Sequence, residues 1–499
     1  MKDYKHLKSG TDIRGVASDI LGNSVTLTSG AVKDITGGFV KYLENKFEKQ
    51  APELTVAVGH DSRITADSIS KCVIEVLSKM GVKVLNCGLS STPAMFMTTI
   101  KTKADASIQI TASHHPADRN GLKFFTEEGG LDSDDILKII SFANDFKLTD
   151  NLSGEVVEID FMKDYAKLLR KMICDALDKK ESDKPLSDFH IVVDAGNGAG
   201  GFYESDVLKK LGANTSGSVY LEPDGMFPNH IPNPEDKDAM ASISNAVISS
   251  NADLGVIFDT DVDRAGCVDK SGNEINRNRL IALAAAIVIA DNPRATIVTD
   301  SVTSSGLKEF IENDLGGKHH RFKRGYKNVI NEAIRLNEQG INAPLAIETS
   351  GHAALKENYF LDDGAYLMTK IIIKMAQLKE ENKTIDDLIS TLKMPAEADE
   401  LRFAIKTESF KSYGEKVISE LEKFFNKSDE WTIANDNREG IRASYKDGWL
   451  LLRLSVHDPI MPMNLESDSV GTITEMLNSV KPVFELFDLL DLSVLYERL

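Results

Sequence analysis

The sequence predicts three similar α/β domains with mixed sheets, followed by a smaller α+β domain, all around a central cleft. Three observations carry this: a length of 499 residues, a strand–turn–helix segment that recurs three times, and a C-terminal stretch where the recurrence stops. At about 150 residues per domain, the length predicts three or four domains. With 42% apolar and 27% charged residues the chain has enough apolar sequence for several cores.

The first copy opens with TVAVGHDSR (55–63), an apolar run ending in a polar turn, and continues into the helical pattern ADSISKCVIEVLSKMG. HIVVDAGNGAG (190–200) repeats this with FYESDVLKKLG, and TIVTDSVTSSG (296–306) repeats it with LKEFIENDLGG. Each is a strand, a turn rich in Gly, Ser or Asp, and a helix closed by glycine. Each copy then reaches a second apolar strand that stops abruptly in polar residues: ASIQITASHHP (106–116), ADLGVIFDTDVDR (252–264) and APLAIETSGH (343–352). Strands alternating with helices imply parallel-rich, helix-covered sheets, in which ligands gather at the carboxyl ends of strands. From about Pro395 the pattern changes to FAIKTES, an amphipathic helix (Phe410 to Phe425), the strand-like GIRASYKDGWLLLRLSVHDP, and a last helix near Ser467 to Val480. The predicted domains are 1–155, 156–276, 277–395 and 396–499.

Charge and composition exclude several classes of function. With 58 basic and 77 acidic residues the net charge is −19, which disfavours nucleic acid and anionic membranes as partners. The longest apolar run, Leu280 to Ala290, is far short of the roughly twenty residues that span a bilayer. The start, MKDYKHLKSG, has no apolar core of the kind a signal peptide needs. Cys72, Cys87, Cys174 and Cys267 fall singly, as expected of reduced thiols in the cytoplasm.

The sharpest chemical signal is Asp259-Thr-Asp261-Val-Asp263-Arg264. Alternate carboxylates share one face of an extended chain, but on a straight strand the outer two lie roughly 13 Å apart. They converge on one ion only if the chain curls after Phe258. An all-oxygen set suits a hard cation such as Mg²⁺. The second site is Thr111-Ala-Ser113-His114-His115-Pro116, with Lys123 shortly after; the serine hydroxyl needs a base or a metal to act as a nucleophile, and His114 or Lys123 offers a proton path. Glu348-Thr349-Ser350-Gly351-His352 groups side chains that suit sugar hydroxyls. Arg453-Leu-Ser455-Val-His457-Asp458-Pro459 closes the strand WLLLR with a phosphate-binding guanidinium.

The four loops, in this order, resemble the α-D-phosphohexomutase family, most closely its phosphomannomutase/phosphoglucomutase members. The resemblance runs from SGTDIRG (9–15) to the RLSVHDP loop. It implies that Ser113 is the phosphorylated nucleophile and, with Asp259, Asp261 and Asp263, a ligand of one Mg²⁺. It places Arg264, Lys123, Arg14 and His114 at the reacting centre. Glu348, Ser350, His352 and Tyr326 are then substrate-binding residues, and Arg453, Ser455 and His457 hold the non-reacting phosphate. The implied reaction interconverts hexose 1-phosphate and hexose 6-phosphate (mannose and/or glucose) through a 1,6-bisphosphate that also acts as activator. The implied protein is cytoplasmic, a monomer or homodimer, with hexose phosphates as its partners and neither nucleic acid nor membrane among them. Thr260 and Val262 stand where such loops commonly have glycine, and a β-branched valine resists positive φ, which predicts a turn drawn differently or holding metal less tightly. Ile347 replaces a glycine and Tyr326 a histidine. The rival readings are a metal-dependent glycosyltransferase, which leaves Ser113 and the Arg453 loop unexplained, and a lapsed sugar-phosphate sensor, which has no need of the complete serine, lysine and aspartate set.

Overall fold

A computed structural model describes residues 2–148, 152–455 and 458–499. The chain forms two compact units, Met1–Leu280 with Ser350–Asp387, and Ile281–Thr349 with Leu388–Leu499.

In the first unit, Thr55–His60 lies parallel to Lys83–Leu89 on one side and to Ala106–Ile110 on the other. Lys83–Leu89 continues parallel to Val156–Glu158. Beyond Ala106–Ile110 the sheet turns antiparallel, through Arg119–Thr126, Asp12–Val16 and Lys8–Ser9. Every residue of Ala106–Ile110 is buried, as a strand covered by helices on both faces must be. Helices Ser29–Phe47, Ala66–Lys79 and Ser133–Asp145 contribute to one core with this sheet, where Phe39 and Phe124 meet at 4.5 Å between ring centroids.

The second sheet of this unit is Ile191–Asp194, Leu254–Phe258, Ala265–Asp269 and Glu274–Ile275, in that spatial order. Only its first pair is parallel, so the sheet is mixed. The helix expected after the second turn is irregular, a π-turn over Tyr203–Leu208 running into a 3₁₀ turn, Lys209–Leu211. The hairpin Ala353–Leu355 with Leu361–Asp362 and the helix Gly364–Glu380 complete the unit.

In the second unit, Thr296–Thr299 lies parallel to both Lys318–Arg321 and Leu345–Ile347. The C-terminal part is a fully antiparallel sheet, in the order Glu397–Ala404, Ile460–Ser467, Gly448–Leu452, Ile441–Tyr445, Trp431–Ile433. It shares a core with helices Phe410–Lys427 and Thr472–Phe484 through Phe403, Val417, Leu450, Met463, Ile473 and Phe484. This is the expected α+β domain. The last helix, expected from about Ser467, starts instead at Thr472: Ser467 ends a strand, and Gly471 at φ +94° makes the entry to the helix. A further short helix, Ser493–Arg498, follows. Arg442 is buried under the Trp449 ring at 3.6 Å and donates to the carbonyls of Ser301 (2.8 Å) and Thr303 (3.1 Å), fastening the parallel strands of this unit to its antiparallel sheet.

All four cysteines are free and buried. No helix among the described residues is long and apolar enough to cross a membrane.

Phe39→Ala empties a fully buried site in the first core and should cost about 3–5 kcal/mol. For a domain of this size that is a drop of at least about 6 °C in the midpoint of the corresponding thermal transition, read by calorimetry. An unchanged midpoint would show that the Phe39–Phe124 contact carries no stability.

Candidate active site

Phe258 pairs with Ala265 across the antiparallel hairpin, so residues 259–264 are its connecting loop and not an extension of a strand. That curl brings Asp259, Asp261 and Asp263 together, with one carboxylate oxygen from each within 4.8 Å of the others and all three side chains buried. Neighbouring segments hold the turn by its backbone. Ala199 N–H donates to the Thr260 carbonyl (2.8 Å), Thr92 N–H to that of Asp261 (2.8 Å) and Gly364 N–H to that of Val262 (3.0 Å). A Cβ on Gly364 would lie 2.7 Å from the Arg264 carbonyl, so only glycine permits this approach. Val262 takes φ +68° with its side chain fully buried. Surrounding contacts hold the residue in the left-handed region that its β-branch resists.

The carboxylates have distinct partners. Asp259 accepts from the Arg264 N–H (3.2 Å) and from its Nε (3.1 Å). Asp263 forms an ion pair with Lys123 (2.5 Å) and faces His352 Nε2 at 3.5 Å. Asp261 accepts from the Thr92 hydroxyl through one oxygen, while its other oxygen, Oδ1, is buried without a hydrogen-bond partner among the described residues. Burial, then the adjacent Asp263 carboxylate, pushes Asp259 well above the usual carboxylate range. Burial acts on Asp263 in the same sense, but Lys123, His352 and Arg264 outweigh it and hold that group well below. Three hard oxygen donors at this spacing, two of them with a buried oxygen that makes no hydrogen bond among the described residues, fit a divalent cation.

Ser113 lies beside this cluster. The strand Ala106–Ile110 ends, Thr111 Oγ1 accepts from the Ser113 N–H (2.8 Å), and Ser113 adopts φ +51°. Its hydroxyl donates to Asp259 Oδ2 (3.0 Å), accepts from Arg264 Nη2 (3.1 Å), and lies 3.4 Å from His114 Nδ1. Burial, reinforced by Arg264, His115 and Arg14, pushes the His114 imidazole well below its ordinary range, so it is neutral at pH 7. Burial and Arg14 lower His115 to about 3. Lys123 comes from Arg119–Thr126, and Arg14 lies on the neighbouring strand opposite Gly121, paired with Asp12 at 2.8 Å. Gly121 is required there, because a Cβ would meet the Ile13 carbonyl at 2.3 Å.

Ser350 and His352 belong to the same unit. Ser350 Oγ is 2.9 Å from His352 Nδ1, and Arg264 forms a β-bridge with His352. The other expected substrate-binding residues belong to the second unit. There Glu348 accepts from the Gly325 N–H (2.6 Å), which fixes the turn before Tyr326. Arg453 and Ser455 follow the strand Gly448–Leu452 and bond to the returning chain through Arg453 N–H to the Pro462 carbonyl and Ser455 N–H to that of Ile460, both 3.0 Å. His457 lies outside the described residues.

The sequence reading did not single out three residues that build this centre: Thr92 on Asp261, Asn233, whose Oδ1 accepts from Arg264 Nη1 (3.1 Å), and Arg63, which backs the serine loop. Only Arg63 had a visible signal, its place in the polar turn closing the first repeat's strand.

Comparison with known proteins bears on the same loops. Residues 7–148, 163–272 and 276–394 match, in turn, "Phosphoglucomutase/phosphomannomutase, alpha/beta/alpha domain" I, II and III. A protein of Neisseria meningitidis serogroup B named phosphoglucomutase is 30% identical over 435 residues, 86% of this chain and 88% of its own. The phosphomannomutase/phosphoglucomutase of Pseudomonas aeruginosa (strain PAO1) is 29% identical over 87% of each chain. The phosphomannomutase of Methanocaldococcus jannaschii is 28% identical over 96% of this chain and 97% of its own. A crystal structure of a phosphoglucomutase/phosphomannomutase family protein from Burkholderia thailandensis superimposes with TM-score 0.76 over 96% of both chains; at 24% identity that likeness concerns the fold alone. The chain is thus an enzyme of the isomerase type that transfers phosphoryl groups. It belongs to the phosphoglucomutase/phosphomannomutase family of α-D-phosphohexomutases.

Asp261→Asn removes one anionic donor from the carboxylate turn and should weaken Mn²⁺ or Mg²⁺ binding to metal-stripped protein by at least about tenfold. Titration calorimetry reads this directly, and an unchanged affinity would mean that the turn is not a metal site.

Proposed function

We propose that the enzyme interconverts hexose 1-phosphate and hexose 6-phosphate, with mannose and/or glucose as the sugar, through a phosphorylated Ser113 and a hexose 1,6-bisphosphate that also serves as activator. The observation that supports this best is the Ser113 hydroxyl held between Arg264 and Asp259 of the carboxylate cluster. A buried serine with a guanidinium on its oxygen is suited to carry a phosphoryl group.

In the forward half-reaction a substrate hydroxyl oxygen forms a bond to the phosphorus on Ser113, and the bond from phosphorus to Ser113 Oγ breaks. Arg264 stabilises the charge on the transferring group and on Oγ. His114, 3.4 Å from Ser113 Oγ, lies on the proton path, and Lys123 pairs with Asp263 beside the reacting atoms. Asp259, Asp261, Asp263 and Ser113 would hold a Mg²⁺, which when bound would help neutralise phosphoryl charge. Arg14 adds positive charge at the mouth of the serine loop. The bisphosphate then turns over and returns its other phosphoryl group to Ser113 Oγ.

In this reading residues 1–155 carry the phosphoserine loop, 156–276 the metal loop, 277–395 the sugar loop and 396–499 the phosphate loop. Glu348, Ser350, His352 and Tyr326 bind the sugar, while Arg453, Ser455 and His457 hold the phosphate that is not reacting. The protein acts in the cytoplasm, as a monomer or homodimer.

A coupled assay with glucose-, mannose-, glucosamine- and N-acetylglucosamine 1-phosphates, run beside intact-protein mass, tests the proposal. Conversion of glucose or mannose 1-phosphate, with one phosphate mapping to Ser113, supports it; no conversion of either sugar overturns it. Ser113→Ala should lose turnover while keeping sugar-phosphate affinity within a few-fold, because it removes the carrier and no binding group. Substantial mutase activity in phosphate-free mutant protein would remove Ser113 from the mechanism. Arg453→Ala removes one charge-assisted contact of roughly 1.5–3 kcal/mol, or about 10–150-fold in affinity. The loss should appear for 1-phosphate and 6-phosphate substrates alike, since the intermediate presents each end in turn. A loss confined to one positional isomer would rule out the two-orientation scheme.

A further inference from the structure

The turn that closes the strand Thr55–His60 holds a cation that the chemistry above does not use. Arg63 is 2% exposed and spends its guanidinium on the backbone of the serine loop. Its Nη1 donates to the carbonyls of Pro116 (2.8 Å) and Arg119 (2.9 Å), and its Nη2 to those of Ser113 and His115, the latter at 2.6 Å. Carbonyl dipoles spread over residues 113–119 thus converge on one charge, in a segment with few backbone bonds of its own. The planar fork of arginine matches this demand, whereas the point charge of lysine does not.

The guanidinium is itself held from other sides. Asp61 Oδ1 accepts from the Arg63 N–H (3.0 Å), and Asp61 Oδ2 lies 3.4 Å from Nε. The ring of Phe227 covers the guanidinium at 5.3 Å, from a backbone at φ +48°, an uncommon region for an aromatic residue. Gly225 packs so tightly on the same turn that a Cβ would lie 2.3 Å from the Ile64 nitrogen. The segment carrying Gly225 and Phe227 also carries Asn233, which accepts from Arg264, and His230, which is 3.0 Å from both oxygens of the buried Asp194. One loop therefore backs Arg63 behind the serine and steadies Arg264 in front of it.

We propose that Arg63 is a positioning residue for Ser113: by gathering the carbonyls of 113–119 it fixes the left-handed backbone of the serine and so the place of Oγ between Arg264 and Asp259. The proposal rests on the reading of Ser113 as the phosphoryl carrier. Arg63 does not touch any of the three carboxylates, so in dephosphorylated protein their metal affinity is separable from the geometry of the serine loop.

The test is Arg63→Lys in the full chain, compared with wild type by hydrogen exchange, by Mn²⁺ titration and by steady-state kinetics. Amide exchange should rise at least about tenfold within 111–120 and remain unchanged in 254–269. Mn²⁺ affinity should stay within threefold. Against hexose 1-phosphate, kcat should fall about 10–100-fold with KM within threefold, the size expected of a misplaced reacting atom. Wild-type exchange in 111–120, or kcat within threefold of wild type, would overturn the proposal. So would a rise in exchange across the whole first sheet accompanied by loss of Mn²⁺ binding, which marks a merely structural role. If Arg63→Lys does not fold, Phe227→Leu uncovers the guanidinium and leaves its hydrogen bonds; a smaller increase confined to 111–120 supports the proposal, and no change there overturns it. Exchange and Mn²⁺ binding need no turnover, so a wild-type protein inactive on hexose phosphates would count against the Ser113 reading and leave these readouts intact.

Discussion

Mutual repulsion of three buried carboxylates is the constraint on which the rest of this centre depends. At 4.8 Å and an effective dielectric of 20, each pair of unit charges costs roughly 3.5 kcal/mol. No single hydrogen bond offsets that, so the surroundings must supply charge. Arg264 and Lys123 supply two cations, burial and the Asp263 carboxylate raise Asp259 toward its protonated form, and burial drives His352 toward its neutral form despite the pull of Asp263. A divalent cation held on the same oxygens would relieve the repulsion and use the unpartnered Asp261 oxygen.

The same constraint explains why so much backbone is committed to the turn. Left alone, the loop 259–264 would relax outward and separate its charges. Hydrogen bonds from Thr92, Ala199 and Gly364, which come from three different elements, prevent this. They also hold Val262 at a positive φ that costs of order 1–3 kcal/mol. Local strain is tolerated because the surrounding packing over-determines the conformation. The serine loop is held similarly, by a buried cation in place of neighbouring amides.

A net charge of −19 and an anionic substrate look incompatible until the distribution of charge is considered. Arg14, Arg63, Lys123 and Arg264 all belong to the first unit, and burial, with Arg264 and Arg14 adding to it, lowers the neighbouring imidazoles of His114 and His115. Their fields act over a few ångströms in a buried site, whereas the diffuse acidic surface is screened by salt. Neutral histidines beside the serine follow from burial first and from these cations second.

Much of the architecture was legible in the chain alone, because apolar periodicity and glycine-closed turns are local properties. The strand–turn–helix repeats, the all-buried Ala106–Ile110 and the long helix from Phe410 follow from spacing of side chains along a few turns or pleats. The boundary at Ser467 was not, since antiparallel pairing with Glu397 and Gly448 extends that strand where local preference reads helix. Residue types likewise marked Ser113 and the three aspartates as chemical, but straight-strand geometry placed Asp259 and Asp263 too far apart to share an ion. Their convergence, the neutrality of His114, and the parts played by Thr92, Asn233 and Arg63 were decided by tertiary structure. Each depends on burial and on contacts between segments tens to hundreds of residues apart, and neither is encoded in the spacing of neighbours along the chain.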